Sequence, residues 1–150
     1  MKSIFNNTAY LEILSRLETL SDSSQAQWGS MNTAQMMVHC RSAIEVALGK
    51  KTLEKPNILK GTMLKLMKGM LYNDTPWRHG LPTAKEFVII DTKTFETEKT
   101  KLKQCIEEIH ASEDFFKPSK VHPFFGRFTA DQWGKSIYKH LDHHLRQFGV

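Results

Sequence analysis

The stretch TADQWGKSIYKHLDHHLRQFGV, from Thr129 to Val150, carries the clearest helix signal in the chain. Thr129 is followed three residues later by Gln132, which is the spacing of a capping box, where two side chains bond the exposed backbone amides of a helix start. Beyond this cap, apolar residues return every three or four positions, the period of one helix face: Trp133, Ile137, Leu141, Leu145 and Phe148. We therefore predict a helix that runs to about Phe148 and packs against other helices.

Three other long segments show the same helical period. Apolar residues recur from Leu11 to Leu20, after a polar cluster that can cap the first turn. A second helix is predicted over Thr33–Leu48, because Asn32 and Gln35 have the spacing of a capping box. A third helix is predicted from about Thr92 to His110, with charged residues on its opposite face. These four segments are long enough to form the core of the protein.

The rest of the chain is interpreted as connections and one extra short helix. A basic amphipathic helix is predicted from Leu59 to Met70. A long connection follows from Tyr72 to Asp91, and within it Phe87–Ile90 has the composition of a short buried extended piece. Prolines and a glycine break the chain again before Thr129. Because no segment alternates convincingly as a strand does, we predict an all-α helical bundle in a single domain over residues 1–150.

The composition excludes several classes of protein. Hydrophobic residues make up 40% and charged residues 25% of the 150 residues, which is typical of a folded globular protein. The net charge of +5 permits acidic partners but falls short of a nucleic-acid-binding specialist. No stretch approaches the roughly 18 apolar residues of a membrane span, and the N-terminus lacks the apolar core of a signal peptide. We therefore expect a cytoplasmic protein without a membrane span, in which Cys40 and Cys105 are reduced thiols.

Three of the seven histidines lie in the last predicted helix. His140 and His144 are four residues apart, so they lie one above the other on the same helix face. That face also carries Trp133, Ile137 and Phe148, and it should therefore point into the bundle. Two buried imidazoles without partners leave ring nitrogens unsatisfied, and one divalent metal ion bound by both rings removes that cost. The alternatives stay open, since the pair can also be exposed or can bond to backbone carbonyls.

His39 is the candidate for a third metal ligand. It lies on the shoulder of the apolar face of the predicted Thr33–Leu48 helix, where a lone histidine is usually a core residue. Three imidazoles from two helices would leave an open coordination position, which distinguishes reactive metal sites from closed structural ones. Imidazole suits zinc, nickel, iron and copper alike, so the identity of the ion is not predicted. His143 lies about 100° further round the helix from His144 and is not predicted as a ligand.

Two segments resemble a known family: WGSMNTAQMMVHC, residues 28–40, and HPFFGRFTADQWGKSIYKHLDHHLRQFGV, residues 122–150. They are similar to the DinB/YfiT-like metalloenzymes and, within that superfamily, to a branch described only as a domain of unknown function. The likeness extends from Trp28 to Val150. It implies a four-helix bundle in up-down-down-up order, with one divalent metal ion held by His39, His140 and His144. Members of the family usually carry Arg-Gly-Gln after the last ligand, whereas Leu145-Arg146-Gln147 follows His144 here.

The metal hypothesis and the resemblance together predict an enzyme. A divalent ion lowers the pKa of the water or thiol in its open position, so we predict a hydrolase or a low-molecular-weight-thiol transferase that acts on a small-molecule substrate. We expect no cysteine near the histidines that could serve as an internal nucleophile, so any thiol would be an external, cellular one. His122, in the HPFFG loop, is predicted to be a catalytic acid, a base or a substrate contact, with an exposed loop histidine as the alternative.

A non-catalytic binding module is the competing prediction. Residues 50–70 contain six lysines and one glutamate, a local excess of five positive charges that equals the net charge of the whole chain. Such a Met-rich and Lys-rich segment can contact an acidic protein, nucleic acid or an anionic surface, and it can equally be a solvated helix face. The lack of an Arg-rich stripe or zinc-finger spacing argues against nucleic acid. The sequence is compatible with a homodimer but does not require one.

Overall fold

The computed structural model describes residues 1–54 and 56–150. Across these residues the protein is mostly helical, with six α-helices, two 3₁₀ turns and one small antiparallel hairpin. The elements in chain order are α1 (Asn7–Glu18), α2 (Thr33–Ala47), α3 (Ile58–Leu66), α4 (Phe95–Ala111), α5 (Glu113–Phe116), β1 (Lys120–His122), β2 (Gly126–Phe128) and α6 (Ala130–Gln147). The two 3₁₀ turns, Lys68–Leu71 and Lys85–Phe87, lie in the connection between α3 and α4.

Two of the long helices, α2 and α6, begin at capping boxes that the sequence predicts. The Thr129 hydroxyl accepts from the Gln132 amide at 3.2 Å, and the Gln132 side chain accepts from the Thr129 amide at 3.1 Å. Asn32 and Gln35 form the same reciprocal pair at the start of α2. Both predicted capping boxes are confirmed, because each depends on residues only three apart and on no distant contact.

The core lies between the four long helices. Helix α2 packs against α4 and α6, and α1 also packs against α4 and α6, so the four helices enclose a common apolar centre. Side chains that are almost completely buried come from all four helices: Ile13, Leu17, Met36, Ile44, Leu102, Ile106, Leu141 and Leu145. Burying side chains of this size contributes about 1.5 to 3 kcal/mol each. This packing also fixes the positions of the histidine-bearing faces of α2 and α6 relative to each other.

The structure corrects the sequence predictions for the stretch before Thr129 and for Leu11. The stretch before Thr129 is not purely irregular, because β1 and β2 pair there in the register Lys120 with Phe128, Val121 with Arg127 and His122 with Gly126. Three-residue strands are too short to show alternation in a sequence. Leu11, predicted on the inward face of α1, is 52% exposed, because the buried face of α1 is formed by Ala9, Ile13 and Leu17.

The predicted basic helix exists as α3, but its apolar side chains face outward. Ile58, Leu59 and Leu66 are all more than 80% exposed. Helical periodicity identifies an apolar face without saying what covers it. One lysine of the basic segment 50–70, Lys55, lies outside the described residues. Among residues 1–54 and 56–150, no helix has the length and apolar character needed to cross a membrane.

Candidate metal centre

The three histidines predicted as metal ligands meet where α2 packs against α6. One ring nitrogen from each of His39, His140 and His144 lies within 4.8 Å of the others. His39 and His144 are 6% and 8% exposed, and His140 is partly buried. Within residues 1–54 and 56–150, they are the one group of three or more His, Cys, Asp or Glu side chains close enough to share an ion. These three histidines, two buried and one partly buried, could therefore hold a metal ion at this point.

Helix geometry explains why the rings converge. His140 and His144 are one turn apart on the face of α6 that packs against α2, and their ring centroids are 4.8 Å apart. The ring of His39 approaches from α2, with centroid distances of 5.0 Å to His140 and 4.6 Å to His144. The three rings are inclined to one another by 58° to 83°. They therefore surround a common point and do not stack.

Neighbouring oxygen atoms set the protonation of two of the rings. Nδ1 of His39 lies 3.0 Å from the backbone oxygen of Phe87, and Nδ1 of His144 lies 2.8 Å from Oε1 of Gln147. Both oxygens can only accept a hydrogen bond, so each Nδ1 carries a proton and donates it. The lone pairs of His39 and His144 are therefore on Nε2. Metal-ligating histidines commonly have this kind of oxygen partner on the second nitrogen.

A close contact between two of the rings joins their Nε2 atoms. Nε2 of His39 lies 2.9 Å from Nε2 of His140. Because the Nε2 of His39 carries a lone pair, His140 must donate a proton to it, or both nitrogens must bind a shared cation. A divalent ion would replace that proton and bind the third ring as well. The donor set thus fits a metal ion of the kind that accepts imidazole.

Burial keeps the three imidazoles neutral. Desolvation lowers the pKa of His144 to about 3. Desolvation, together with the neighbouring histidines, holds the pKa of His140 well below its usual range. Burial also lowers the pKa of His39, although its bond to the Phe87 carbonyl opposes the shift. Neutral imidazole is the form that binds a metal, so near pH 7 the site needs no proton loss from an imidazolium before binding.

Aromatic side chains form walls beside the histidines. The ring of Trp77 lies 5.9 Å from His140 and 5.5 Å from His143. Trp28 stacks on His79 at 3.7 Å and lies 5.8 Å from His143. Trp77 therefore lies against one of the candidate ligands, His140, and Trp28 lies beside His143.

Side chains on α6 and α2 form hydrogen bonds with the connection between α3 and α4. The buried ammonium group of Lys139 donates to the backbone oxygens of Met70 and Asn73 and to the Asn73 side chain, at 2.7 to 2.9 Å. The indole nitrogen of Trp77 donates to the same Met70 oxygen at 2.9 Å. At its far end, the connection supplies the Phe87 carbonyl to His39. The long segment predicted as a plain connection therefore supplies part of the site.

The other predicted participant, His122, lies in a different environment. Its ring packs against Phe125, Phe128 and Trp133, with centroid distances of 4.9 to 5.5 Å. Its Nδ1 accepts from the Phe124 amide at 3.1 Å, and burial lowers the pKa of His122 to about 4. The three metal candidates are not among these neighbours, and a catalytic role for His122 stays a prediction.

The two cysteines lack the environment of a nucleophile. Cys40 follows His39 in the chain but points into the core, where its sulfur lies 3.7 Å from that of Met36. Burial raises the pKa of the Cys40 thiol, and burial also raises that of Cys105. Protonated, buried thiols are poor nucleophiles. Neither cysteine is suited to take part in covalent chemistry at the histidines.

Sequence reasoning missed the residues that support the histidines. Gln147 lies three residues after His144, a spacing that brings two side chains together on a helix, so this contact could have been predicted. The Phe87 carbonyl could not, because nothing in a sequence indicates which backbone oxygen faces a distant ring. Trp28 and Trp77, both partly exposed beside the site, belong to no motif that marks them as site residues.

Comparisons with known proteins give a family but no activity. A family model described as "Protein of unknown function (DUF1569)" matches residues 3–149. The comparisons with curated proteins and with solved structures found no match.

Proposed function

The chain belongs to the DUF1569 family of proteins of unknown function, and we propose that it is a divalent-metal-dependent enzyme whose metal ligands are His39, His140 and His144. The observation that carries this proposal is the convergence of three neutral imidazoles, two of which donate Nδ1–H to fixed oxygen atoms. That arrangement directs ring-nitrogen lone pairs toward one point, which is largely shielded from solvent. Three protein ligands are also the number found in catalytic sites, which keep one position open.

The chemistry of the proposed site follows from its charge. When bound, a divalent ion supplies Lewis acidity to an oxygen or sulfur donor in the remaining position. The protein contributes only neutral ligands there, so the bound site would carry an uncompensated positive charge. This charge favours an anionic or readily deprotonated small molecule as the substrate. Trp28 and Trp77 would bind the apolar part of that substrate and exclude water around it.

Two reaction types fit these residues. With water as the nucleophile the protein is a hydrolase, and with a cellular thiol it is a low-molecular-weight-thiol transferase. The burial of Cys40 and Cys105 supports an external thiol in the second case. His122 is retained in the proposal as an acid, base or substrate contact, although its ring lies against Trp133.

We also propose that residues 1–150 form one domain with the DinB/YfiT-like fold, a four-helix bundle in up-down-down-up order. The long helices α1, α2, α4 and α6 would be the four members. Their mutual packing around a common core supports this assignment. The positions of the candidate ligands support it too, since one lies on the second helix and two lie on the last.

Metal analysis of purified protein tests the proposal most directly. We expect about one divalent ion per chain after loading with zinc, nickel or iron, and loss of that ion in His144→Ala. His110→Ala is the control, because His110 is a partly buried histidine whose Nδ1, like that of His144, bonds an oxygen atom, here the backbone oxygen of Ile4 at 2.8 Å. Equal metal contents in the two variants, or no metal in the loaded wild-type protein, would contradict the proposal.

Activity assays then separate the two reaction types. Loaded protein is offered small esters and amides in one series, and electrophiles with common cellular thiols in the other. Turnover that needs both the metal and a thiol assigns a transferase, whereas turnover without a thiol assigns a hydrolase. His122→Gln is assayed alongside, and an unchanged kcat in that variant would remove His122 from the mechanism.

A further inference from the structure

Helix α3 exposes the side of itself that helices normally bury. Ile58 is 90% exposed, Leu59 83% and Leu66 84%. Met63 and Met67, on the same side, are 54% and 44% exposed. By contrast, Gly61 and Leu64 are partly covered, so the helix rests on the protein through its narrower face. A cluster of large apolar side chains turned toward water indicates a site of interaction.

Lysines border this apolar face on both sides. In a helical projection of about 100° per residue, the five exposed apolar side chains occupy about half of the circumference. Lys60 and Lys65 lie just beyond its two edges. Residues 56–72 contain no aspartate or glutamate. The face is therefore apolar in the middle and cationic at its margins, which is the pattern of helices that lie in a membrane interface.

The hairpin that lies beside α3 also exposes an apolar and a basic side chain. A side-chain carbon added at Gly126 would lie 3.6 Å from Cγ of Lys65, and Lys68 donates to the backbone oxygen of Arg127 at 3.4 Å. These contacts place α3 beside β2. Val121 and Arg127 are directly paired and both exposed, with Val121 62% exposed. The hairpin thus exposes one apolar side chain and one cation of its own.

The composition of the outward face of α3 favours one kind of binding partner over others. A second copy of the chain would bring lysines against lysines across a two-fold axis, with no carboxylate of residues 56–72 to neutralise them. Protein interfaces depend on Trp, Tyr and Arg anchors and are depleted of Lys, whereas the outward face of α3 has only Ile, Leu, Met, Thr and Lys. A lipid surface needs no shaped anchor, accepts flexible apolar side chains and attracts ammonium groups when it is anionic.

We propose that the outward face of α3, defined by Ile58, Leu59, Met63, Leu66 and Met67 with Lys60 and Lys65 at its edges, binds the surface of an anionic phospholipid membrane. The apolar side chains enter the boundary between headgroups and acyl chains. The two ammonium groups remain among the phosphates. This binding is peripheral and does not involve the histidine site.

Vesicle sedimentation with the full-length chain tests the proposal. We expect binding to equimolar phosphatidylcholine and phosphatidylglycerol vesicles, little binding to pure phosphatidylcholine, and weakening as salt is raised. Leu59→Ser with Leu66→Ser, and separately Lys60→Glu with Lys65→Glu, should each lower the partition coefficient about tenfold or more. All four side chains are exposed, so circular dichroism and urea midpoints should match those of the wild-type protein.

Matched controls change the same chemistry elsewhere. Lys85→Glu with Lys117→Glu makes the same change of charge at two other exposed lysines, and Leu11→Ser with Ile90→Ser removes two other exposed apolar side chains. Both controls should bind within about twofold of wild type, since attraction to the membrane falls off within a Debye length of its surface. His144→Ala should bind vesicles as wild type does, which separates this proposal from the metal hypothesis.

Four results would overturn the proposal. The first is absence of binding to the mixed vesicles, and the second is equal loss of binding in the controls and in the α3 variants. The third is a dimer, measured by light scattering, that Leu59→Ser with Leu66→Ser converts to monomer while vesicle binding is absent. The fourth is tighter binding to polyglutamate than to vesicles through the same lysines, which would assign the face to an acidic protein.

Discussion

Gln147 links the candidate metal centre to the segment before α2 through one buried amide. Its Oε1 accepts from Nδ1 of His144 at 2.8 Å, and its Nε2 donates to the backbone oxygen of Trp28 at 2.6 Å. The side chain is 3% exposed, so both bonds form away from competing water. The bond to His144 fixes the tautomer of that ring. The bond to the Trp28 oxygen fixes the orientation of the Gln147 amide.

Replacing Gln147 with leucine should weaken metal binding without removing a ligand. The His144 ring would lose the acceptor for its Nδ1 proton, and loss of such a partner typically lowers metal affinity about 10-fold to 100-fold. Competition with a chromogenic chelator measures the affinity. Gln147→Glu keeps an acceptor for His144 but loses the bond to Trp28, so we expect near-wild-type metal affinity with reduced stability. Equal losses of affinity in the two variants would contradict this role.

His122 makes stability depend on pH. Burial lowers its pKa to about 4 in the folded protein, compared with about 6.5 in an unfolded chain. Between these values the unfolded chain binds a proton that the folded protein does not, so stability falls as the pH falls. Near pH 5 the loss from this one group is about 2 kcal/mol relative to neutral pH.

His122→Gln should remove that part of the pH dependence. The free energy of unfolding in urea, measured with a chelator present, should fall by about 2 kcal/mol less in the variant than in wild type between neutral pH and about pH 5. The chelator keeps metal binding at the other histidines out of the comparison. Parallel pH profiles for the two proteins would contradict the prediction.

The candidate ligands could be predicted because their signal is local. His140 and His144 are four apart on a strongly patterned helix, and His39 lies on the edge of another apolar face. The sequence could not indicate that the Phe87 carbonyl bonds His39, because 48 residues separate the two groups. Their meeting depends on how the whole connection folds. The sequence thus predicts the candidate ligands but not the hydrogen bonds that orient their rings.

At the scale of elements, α6 is held by the N-terminal segment through a glycine. The amide of Ile4 donates to the backbone oxygen of Gly134 at 3.0 Å. A side-chain carbon at Gly134 would lie 2.1 Å from Oγ of Ser3 and 2.6 Å from Cδ2 of Phe5. The close approach of the segment to α6 is therefore possible only because position 134 has no side chain.

Gly134→Ala should destabilise the protein although alanine favours helix. The gain in helix propensity is about 1 kcal/mol, and forcing atoms into an occupied space costs about 1 to 3 kcal/mol, so we expect a net loss. Urea unfolding and hydrogen exchange at Ile4 measure it. Gly61→Ala on α3 is the control, since its new carbon would meet Pro56 at an ordinary 3.5 Å and should be neutral or stabilising. Stabilisation by Gly134→Ala would contradict the account.

The elements differ in how far the sequence predicts them. The starts of α2 and α6 depend on side chains three residues apart, and both were predicted correctly. The outward face of α3 could not be predicted, because a helical period is the same whether the apolar side meets a core or the solvent. The β1–β2 hairpin was missed because two three-residue strands carry no readable alternation. Features that depend on neighbouring residues could be predicted from the sequence, and contacts between distant elements could not.

At the scale of the molecule, the connection between α3 and α4 joins the surface helix to the buried site. One end of the connection is held by Lys139 on α6, and the other end approaches His39 on α2. Lys51 adds a bond to the backbone oxygen of Glu86 at 3.2 Å. The connection is thus fixed to both helices that carry the candidate ligands, and its stability and that of the site should be coupled.

Lys139→Met tests this coupling. The variant removes the charged donor of the two Asn73 oxygens and one of the two donors of the Met70 oxygen, which Trp77 also bonds. Losing such hydrogen bonds costs about 1 to 3 kcal/mol. We expect faster hydrogen exchange across residues 70–77 and faster release of a bound metal ion. Lys135→Met is the control, because Lys135 lies on the same helix and bonds only the exposed Asp131 in the described structure. If residues 70–77 open while the amides near Phe87 keep their protection, the two ends of the connection behave independently and the coupling is wrong. If both ends open together and the ion leaves faster, Lys139 controls access to the histidines from a position where it touches none of them.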